Sequence, residues 1–326
     1  MARAFVVVVL ALALGVGCGG NGGITSDPVT TPAVLRLVAT PSVGSIDYGA
    51  RVEAVVAYPE RVSQAQWRAC LLLVDDPAAG ATCPLPFVIL DNWSSEGRFR
   101  TQIGTWVLQS ADGLGSALFE ALEQVSATHP EQLSPCLRAV ADDWSACVQV
   151  ASWPDDCAWQ SQDRLAQCTR QQGVDVRVEF SATLDDGGQL EASRRIHFGK
   201  TGTPAIGNRN PVLFNLAIDG QALLGDQTLQ VPVGTTLLLS PTPFEQSAET
   251  YTDETTGQTL TEQLSFSWVR TGGDLDTDYT PFGDALNTLY VPQSSVGTHL
   301  TLWVFFEDNR GGIDWTRVGI DPVPTP

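Results

Sequence analysis

The sequence predicts a mainly β protein built from two β-sandwich domains, the first carrying an inserted α-helical hairpin. Three observations carry that expectation. Residues 33–108, 174–198 and 212–320 are dominated by short runs in which β-branched and aromatic residues recur near period two, the pattern of strands with one buried face. Residues 110–172 break the pattern and carry apolar residues at helical spacing. Between the last two of these stretches, GKTGTPAIGNRN (199–210) has the Gly, Pro and Asn content of a linker. About 300 residues beyond the N-terminal segment also suit two domains.

In the first domain (33–198), VLRLVAT (34–40), RVEAVVAY (51–58), QAQWRACLLL (64–73) and RFRTQIGTWVL (98–108) read as strands, separated by turns such as Pro59-Glu60 and Asp75-Asp76-Pro77. VDVRVEFSATL (174–184) and QLEASRRIHF (189–198) flank Asp185-Asp186-Gly187-Gly188, a Gly-bearing turn between two alternating runs, and so predict a hairpin.

The insertion at 110–172 reads as three helices. Leu114, Leu118, Leu122 and Val125 form one apolar stripe, and Leu137, Val140, Trp144 and Val148 form a second. Cys136 and Cys147 are 11 residues apart, as are Cys157 and Cys168, so each pair falls on one helical face. The turn at Ala151-Ser152-Trp153-Pro154 lies midway between the pairs. Folding the hairpin there sets Cys147 opposite Cys157 and Cys136 opposite Cys168, which predicts nested disulfides Cys136–Cys168 and Cys147–Cys157. The pattern is similar to the twin-cysteine helical hairpins of CHCH-type proteins. The alternative of metal-bound thiols is disfavoured, because three turns of helix separate the cysteines of each pair and a structural zinc site needs closer ligands. Cys70 and Cys83 bracket a loop of about a dozen residues, and a disulfide there contributes roughly 3 kcal/mol in the chain-entropy model.

The second domain (211–321) holds seven short strand-like runs: 212–219, 228–233, 235–241, 264–271, 287–292, 298–306 and 313–320. That density indicates a β-sandwich. Trp268 sits mid-strand and resembles the core tryptophan of immunoglobulin-like domains. WVFFEDNRGGIDW (303–315) resembles the F–G hairpin of bacterial Ig-like and PKD-like modules, where an aromatic strand runs into Asp-x-x-Gly-Gly. The resemblance implies an Ig-like sandwich for 211–321, and strand count extends it to the first domain. Such folds host many unrelated functions.

The N-terminus reads Met-Ala-Arg, then FVVVVLALALGVG, then Cys18. One positive charge, a short apolar stretch and a small-residue exit are the parts of a secretory signal, expected here over residues 1–17. The apolar stretch is shorter than the roughly 20 residues of a spanning helix. Leu14-Gly15-Val16-Gly17-Cys18 resembles a bacterial lipobox, with Gly15 where Leu is usual. The resemblance implies a lipid on Cys18, a flexible tether over 18–32, and, from Gly19, outer-membrane sorting in a Gram-negative envelope. Of seven cysteines, six remain once Cys18 is set aside, an even set suited to disulfides in an exported chain.

Removing Arg3 with the signal leaves 17 basic residues against 37 acidic ones. Nucleic acid is therefore not an expected partner. No HExxH, GxSxG or Walker loop occurs, and His129, His197 and His299 stand apart from any catalytic motif. The carboxylate pairs Asp142-Asp143, Asp155-Asp156 and Asp185-Asp186 read as turns, helix starts or solvated faces. Asp274, Asp276 and Asp278 alternate as in the opening of a calcium loop but lack its Gly and closing Glu, which makes them weak calcium candidates. Trp67, Trp106, Trp268 and Trp303 read as core, and Trp93 and Trp153 as loop residues. No cofactor is expected. The reading as a whole is a non-catalytic, lipid-anchored envelope protein whose modules bind a protein or glycan. An envelope hydrolase with an unrecognised carboxylate site and a structural spacer are the alternatives.

Overall fold

In the computed structural model, the residues described are 27–45, 49–72, 88–94, 105–109, 127, 136, 138–142, 174–198, 208–223, 227–252 and 256–325. The first half contributes β1 (Ala33–Ser45), β2 (Gly49–Ala57), β3 (Val62–Leu72), β4 (Val88–Ser94), β5 (Thr105–Gln109), β6 (Val174–Leu184) and β7 (Gln189–Phe198). They form one seven-stranded sheet in the order β4-β3-β6-β7-β1-β2-β5. Strand β1 is shared. Its first part pairs antiparallel with β2 from Ala33 to Thr40, and Val43 and Gly44 pair parallel with β7. The register break between Thr40 and Ser45 is where the strand changes partner. The β6–β7 hairpin forms as expected around Asp185–Gly188. Gly187 takes φ 83°, and Arg61 reaches across to both Asp185 and Asp186 at 2.8 Å.

The second half contributes β8 (Leu213–Ile218), β9 (Gln221–Leu223), β10 (Thr228–Pro232), β11 (Thr236–Pro243), β12 (Thr250–Thr252), β13 (Thr259–Thr261), β14 (Leu264–Arg270), β15 (Asp274–Leu275), β16 (Tyr279–Pro281), β17 (Asn287–Tyr290), β18 (Leu300–Asp308) and β19 (Ile313–Val323). Two five-stranded sheets, β10-β19-β18-β14-β16 and β15-β17-β11-β8-β9, face each other. Strands β12 and β13 form a separate ribbon. The shared core includes Leu216 and Leu239 from one sheet and Phe266, Trp268, Val304 and Phe306 from the other. Phe266 stacks on Phe306 with ring centroids 4.6 Å apart, and the buried Trp268 donates its indole N–H to Thr280 Oγ1 at 3.0 Å. Trp268 therefore occupies the core position its sequence context implied.

Strand β18 explains how the halves are joined. Leu302, Val304 and Phe306 point into the core just described, while Trp303 and Phe305 point out of the opposite face and are equally buried. There they pack with Val269 of β14 against Val38 of β1 and Val55 and Ala57 of β2. Arg36 of β1 pairs with Glu307 at 2.9 Å and lies over the Phe305 ring. Trp315 donates its indole N–H to Glu53 at 3.3 Å. On the other face of β1 and β2, Leu37, Ala39, Val52, Ala54 and Val56 are also buried.

Two parts of the expected fold class are corrected. Among the described residues, α-helical backbone is confined to Ala127, Cys136 and 138–142, short pieces and not a three-helix hairpin. The rest of the 110–172 insertion lies outside the described residues. A 3.6-residue apolar period marks the face a helix would bury, but tertiary packing is what holds most helices, and periodicity alone does not supply it. Nor is the chain two separate sandwiches on a linker. The first half hydrogen-bonds as one sheet through β1, and its β1–β2 face shares an apolar cluster with β14 and β18. The run LWVFF is apolar on both faces. The alternating signal exposed one core, and the second needed the outward residues to be recognised as buried too.

Truncating Phe305, 0% exposed in this inter-half cluster, is expected to cost about 3–5 kcal/mol, as large-to-small core changes do. Urea titration of Phe305→Ala measures it. A loss below about 1 kcal/mol, the range of a surface substitution, would show that the contact between the halves contributes little.

Candidate binding surface and the joint that carries it

The β18–β19 turn, Asp308-Asn309-Arg310-Gly311-Gly312, is where the resemblance to F–G hairpins places a loop, and the structure gives that loop a structural task. Asp308 Oδ1 accepts the backbone N–H groups of Arg310 (2.7 Å) and Gly312 (2.8 Å). Gly311 adopts φ 93°, a left-handed conformation that glycine takes without strain. A Cβ on Gly312 would lie 2.1 Å from Asp308 Oδ2 and 3.1 Å from the Arg209 carbonyl, so only glycine fits there. The Asp-x-x-Gly-Gly spacing follows from this: the acid caps the turn and the second glycine makes room for the acid.

The capped turn then holds the connection between the halves. Asn208, fully buried, donates its side-chain amide to both Asp308 oxygens at 3.1 and 3.2 Å. Asn210 donates to the carbonyls of Ala39 (2.9 Å) in the first half and Ile313 (2.8 Å) in the second. Arg194 of β7 donates to the carbonyls of Leu37 and Gly311. Residues 208–210, read from sequence as the end of a linker, are thus a fixed joint, and 199–207 lie outside the described residues. At the other end of β14, Val29 donates its N–H to the Arg270 carbonyl at 2.8 Å and accepts from the Tyr58 hydroxyl at 2.9 Å. The segment expected as tether is therefore docked from this point on.

The joint is rich in buried carboxylates. Burial raises the Asp308 carboxyl above its ordinary value, against the pull of the Gly312 and Arg310 N–H groups. Burial also raises Glu262, whose Oε1 pairs with Arg310 at 2.9 Å and whose Oε2 accepts the Glu249 N–H. Asp314 is raised chiefly by burial, with nearby Glu53 adding to it, while its oxygens accept the N–H groups of Leu213 and Trp315. Arg194 is lowered by burial, with Asp308 and Glu307 acting in the opposite direction. Arg310 also lies over the Tyr251 ring, which ties the β12–β13 ribbon to the turn.

The other sequence-nominated residues fall into place as structure. Asp278 pairs with the buried Arg270 at 3.1 Å, and Asp274 sits in β15 at a sheet edge. Asp276 sends its backbone N–H to Thr288. Among the described residues no group of three or more His, Cys, Asp or Glu is placed to hold a metal ion, so Asp274, Asp276 and Asp278 do not gather into a calcium site. His299 is exposed and pairs with Asp321 at 2.7 Å. Trp67, Trp268 and Trp303 are buried as expected, and Trp67 packs on Phe180 at 5.0 Å. Trp93 and Trp106 lie in β4 and β5, and their side chains are outside the described residues, as are Trp153, His129 and the side chain of His197. Cys136 is half-buried and disulfide-bonded. Cys18, Cys83, Cys147, Cys157, Cys168 and the side chain of Cys70 lie outside the described residues. No described helix is long and apolar enough to cross a membrane.

The feature that sequence reading missed is a surface. The outward face of the β14-β18-β19 layer is covered by the first half, whereas the β15-β17-β11-β8-β9 sheet carries exposed apolar residues. Phe214 is 60% exposed and meets Phe244 edge-on at 5.8 Å, and Val212 beside them is also exposed. Leu238 of β11 and Tyr290 of β17 lie farther along the sheet, both exposed. The available signal was the phase of β8. A register shift between Thr242 and Pro243 lets Leu213 and Leu216 both face inward and turns Phe214 out.

No family model and no curated protein matches the chain. Solved structures resemble it distantly. One is a nucleoside hydrolase-related hypothetical protein from Saccharophagus degradans, at 16% identity and TM-score 0.26, covering 36% of this chain and 26% of that one. A tetra-tandem repeat from the extending region of a large adhesion protein has 15% identity and TM-score 0.21, over 87% of this chain and 48% of that one. The D0-D1 domain of intimin has 10% identity and TM-score 0.20, over 89% of this chain and all of that one. The chain thus spans about a quarter of the first and half of the second.

Gly312→Ala is expected to destabilise the protein by about 2–4 kcal/mol, because the new methyl displaces the cap that organises the joint. Differential scanning calorimetry reads this as a drop in melting temperature. Gly283→Ala, at an open position, is the control and should leave it within error.

Proposed function

We propose that this protein is a non-catalytic, lipid-anchored component of a bacterial cell envelope whose second half presents a binding face to a protein partner. The observation that carries the reading is the exposed Phe214–Phe244 pair with Val212, on the one face of the second half's sheets that the first half leaves open. Large exposed apolar side chains grouped together mark interaction sites on soluble domains. The side chains of Phe214, Phe244 and Val212 offer no hydrogen-bonding groups, so this patch suits a protein surface better than a glycan, which needs polar partners beside the ring. The sequence supports exposure to the outside: a secretory signal over 1–17, a lipobox-like Leu14–Cys18 and a strongly acidic mature chain. The buried joint favours a second reading, a stiff spacer within an envelope assembly, in which the exposed face is incidental.

Photo-crosslinking from position 214 in native cells separates the two. A binding module is expected to yield one defined protein adduct, lost when Phe244 is changed to Ser. Adducts that spread over many proteins, or are unchanged by Phe244→Ser, would favour the spacer. Purified protein that binds envelope glycan in place of protein would overturn the choice of partner.

The anchor is tested separately. Cys18→Ala is expected to move the protein from the membrane fraction to the soluble fraction. An unchanged distribution would remove the lipid from the reading.

A further inference from the structure

We propose that the joint between the two halves is tightened by protons, so that the halves are held together more firmly in a mildly acidic medium than at neutral pH. The geometry is specific. Asp308, buried, and Asp314, half-buried, stand on either side of the β18–β19 turn, and neither forms an ion pair with a described residue. The cations around them bond to other groups, although Arg310 and Arg194 still attract Asp308 through space. Arg310 is bound to Glu262 and stacked on Tyr251, Arg194 is spent on two backbone carbonyls, Arg36 is paired with Glu307, and Arg209 is paired with Glu249. Like charges face each of the two acids as well. Glu262 lies near Asp308, and Glu53, from the first half, lies near Asp314. Ionisation therefore sets Asp308 against Glu262 within the second half and Asp314 against Glu53 across the seam.

The structure also offers the incoming proton a place. Asp308 Oδ1 takes both backbone N–H groups and shares the Asn208 amide, while among the described residues Oδ2 meets that amide alone, at 3.1 Å. A proton on Oδ2 leaves the turn cap intact. Rotating the Asn208 carboxamide by half a turn brings its oxygen to the proton, so the bond to the joint is kept with donor and acceptor exchanged. The carboxyls bind protons more readily when the joint is closed, because burial raises them and opening would return them to water. Closure thus takes up protons. Its stability is gained as pH falls from the raised value toward the ordinary carboxylate value near 4, is complete below that, and is lost as pH rises again.

Hydrogen exchange on the full mature chain tests this, following the amides of β1 and of 308–314 at pH 5 and pH 7.5 with intrinsic rates corrected. The wild type is expected to show about three- to tenfold greater protection at pH 5, the gain growing further as pH approaches the ordinary carboxylate value. Asp308→Asn retains an acceptor for the turn but cannot ionise, and should lose much of this pH dependence. Glu53→Gln keeps an acceptor for Trp315 and removes the charge facing Asp314, and should reduce the dependence without touching the turn. Should Asp308→Asn fail to fold, Glu53→Gln decides. Equal or lower wild-type protection at pH 5 overturns the proposal, and so does a wild-type pH dependence retained in Glu53→Gln.

Discussion

Strands β14 and β18 are covered on both faces, and the rest of the arrangement follows from how that burial is achieved. One face of β18 gives Leu302, Val304 and Phe306 to the core of the second half, while the other gives Trp303 and Phe305 to the cluster shared with β1 and β2. An outward tryptophan and phenylalanine on a sheet are costly to leave in water, at roughly 1.5–3 kcal/mol for a large apolar side chain. The first half supplies the cover. The joint, the docked Val29 and the Arg36–Glu307 pair surround that cover and fix where it sits.

The polar joint adds position more than attraction. Asp308 and Asp314 are held largely by backbone N–H groups, and burial works against their charge. Groups of this kind specify a single geometry, because each acceptor is satisfied in only one arrangement, whereas an apolar contact tolerates sliding. The apolar cluster holds the halves together, and the Asp308–Asn208–Asn210 network sets their register.

Much of this was legible in the sequence, and the limits are physical. The strands were, because alternation reports a buried face directly, and so was the core role of Trp268. The Asp-x-x-Gly-Gly turn was visible as a motif but not as a joint, since its partners Asn208 and Arg194 lie about 100 residues away in sequence. The union of the halves was hidden by LWVFF itself. A continuous apolar run says that both faces are buried without saying that two different bodies bury them. The Phe214 surface was hidden for the opposite reason. A register shift at Pro243 changes which residues face out, and a residue-by-residue period does not foresee a bulge. The helical stripes of 114–148 indicated amphipathicity, and the described residues show one short helical stretch with Val140 and Ala141 buried.

The docking of Val29 has a mechanical consequence. Its N–H is bonded to Arg270 in β14 of the second half, and its carbonyl takes the Tyr58 hydroxyl from the first. A force drawn on the chain from its N-terminal side therefore meets both halves at the same residue before it reaches β1. The load is shared at the seam and does not run through the first half to the second in series. A chain attached by that end would stretch as one body until the Val29–Arg270 clasp gave way, and only then would β1 begin to peel from β2.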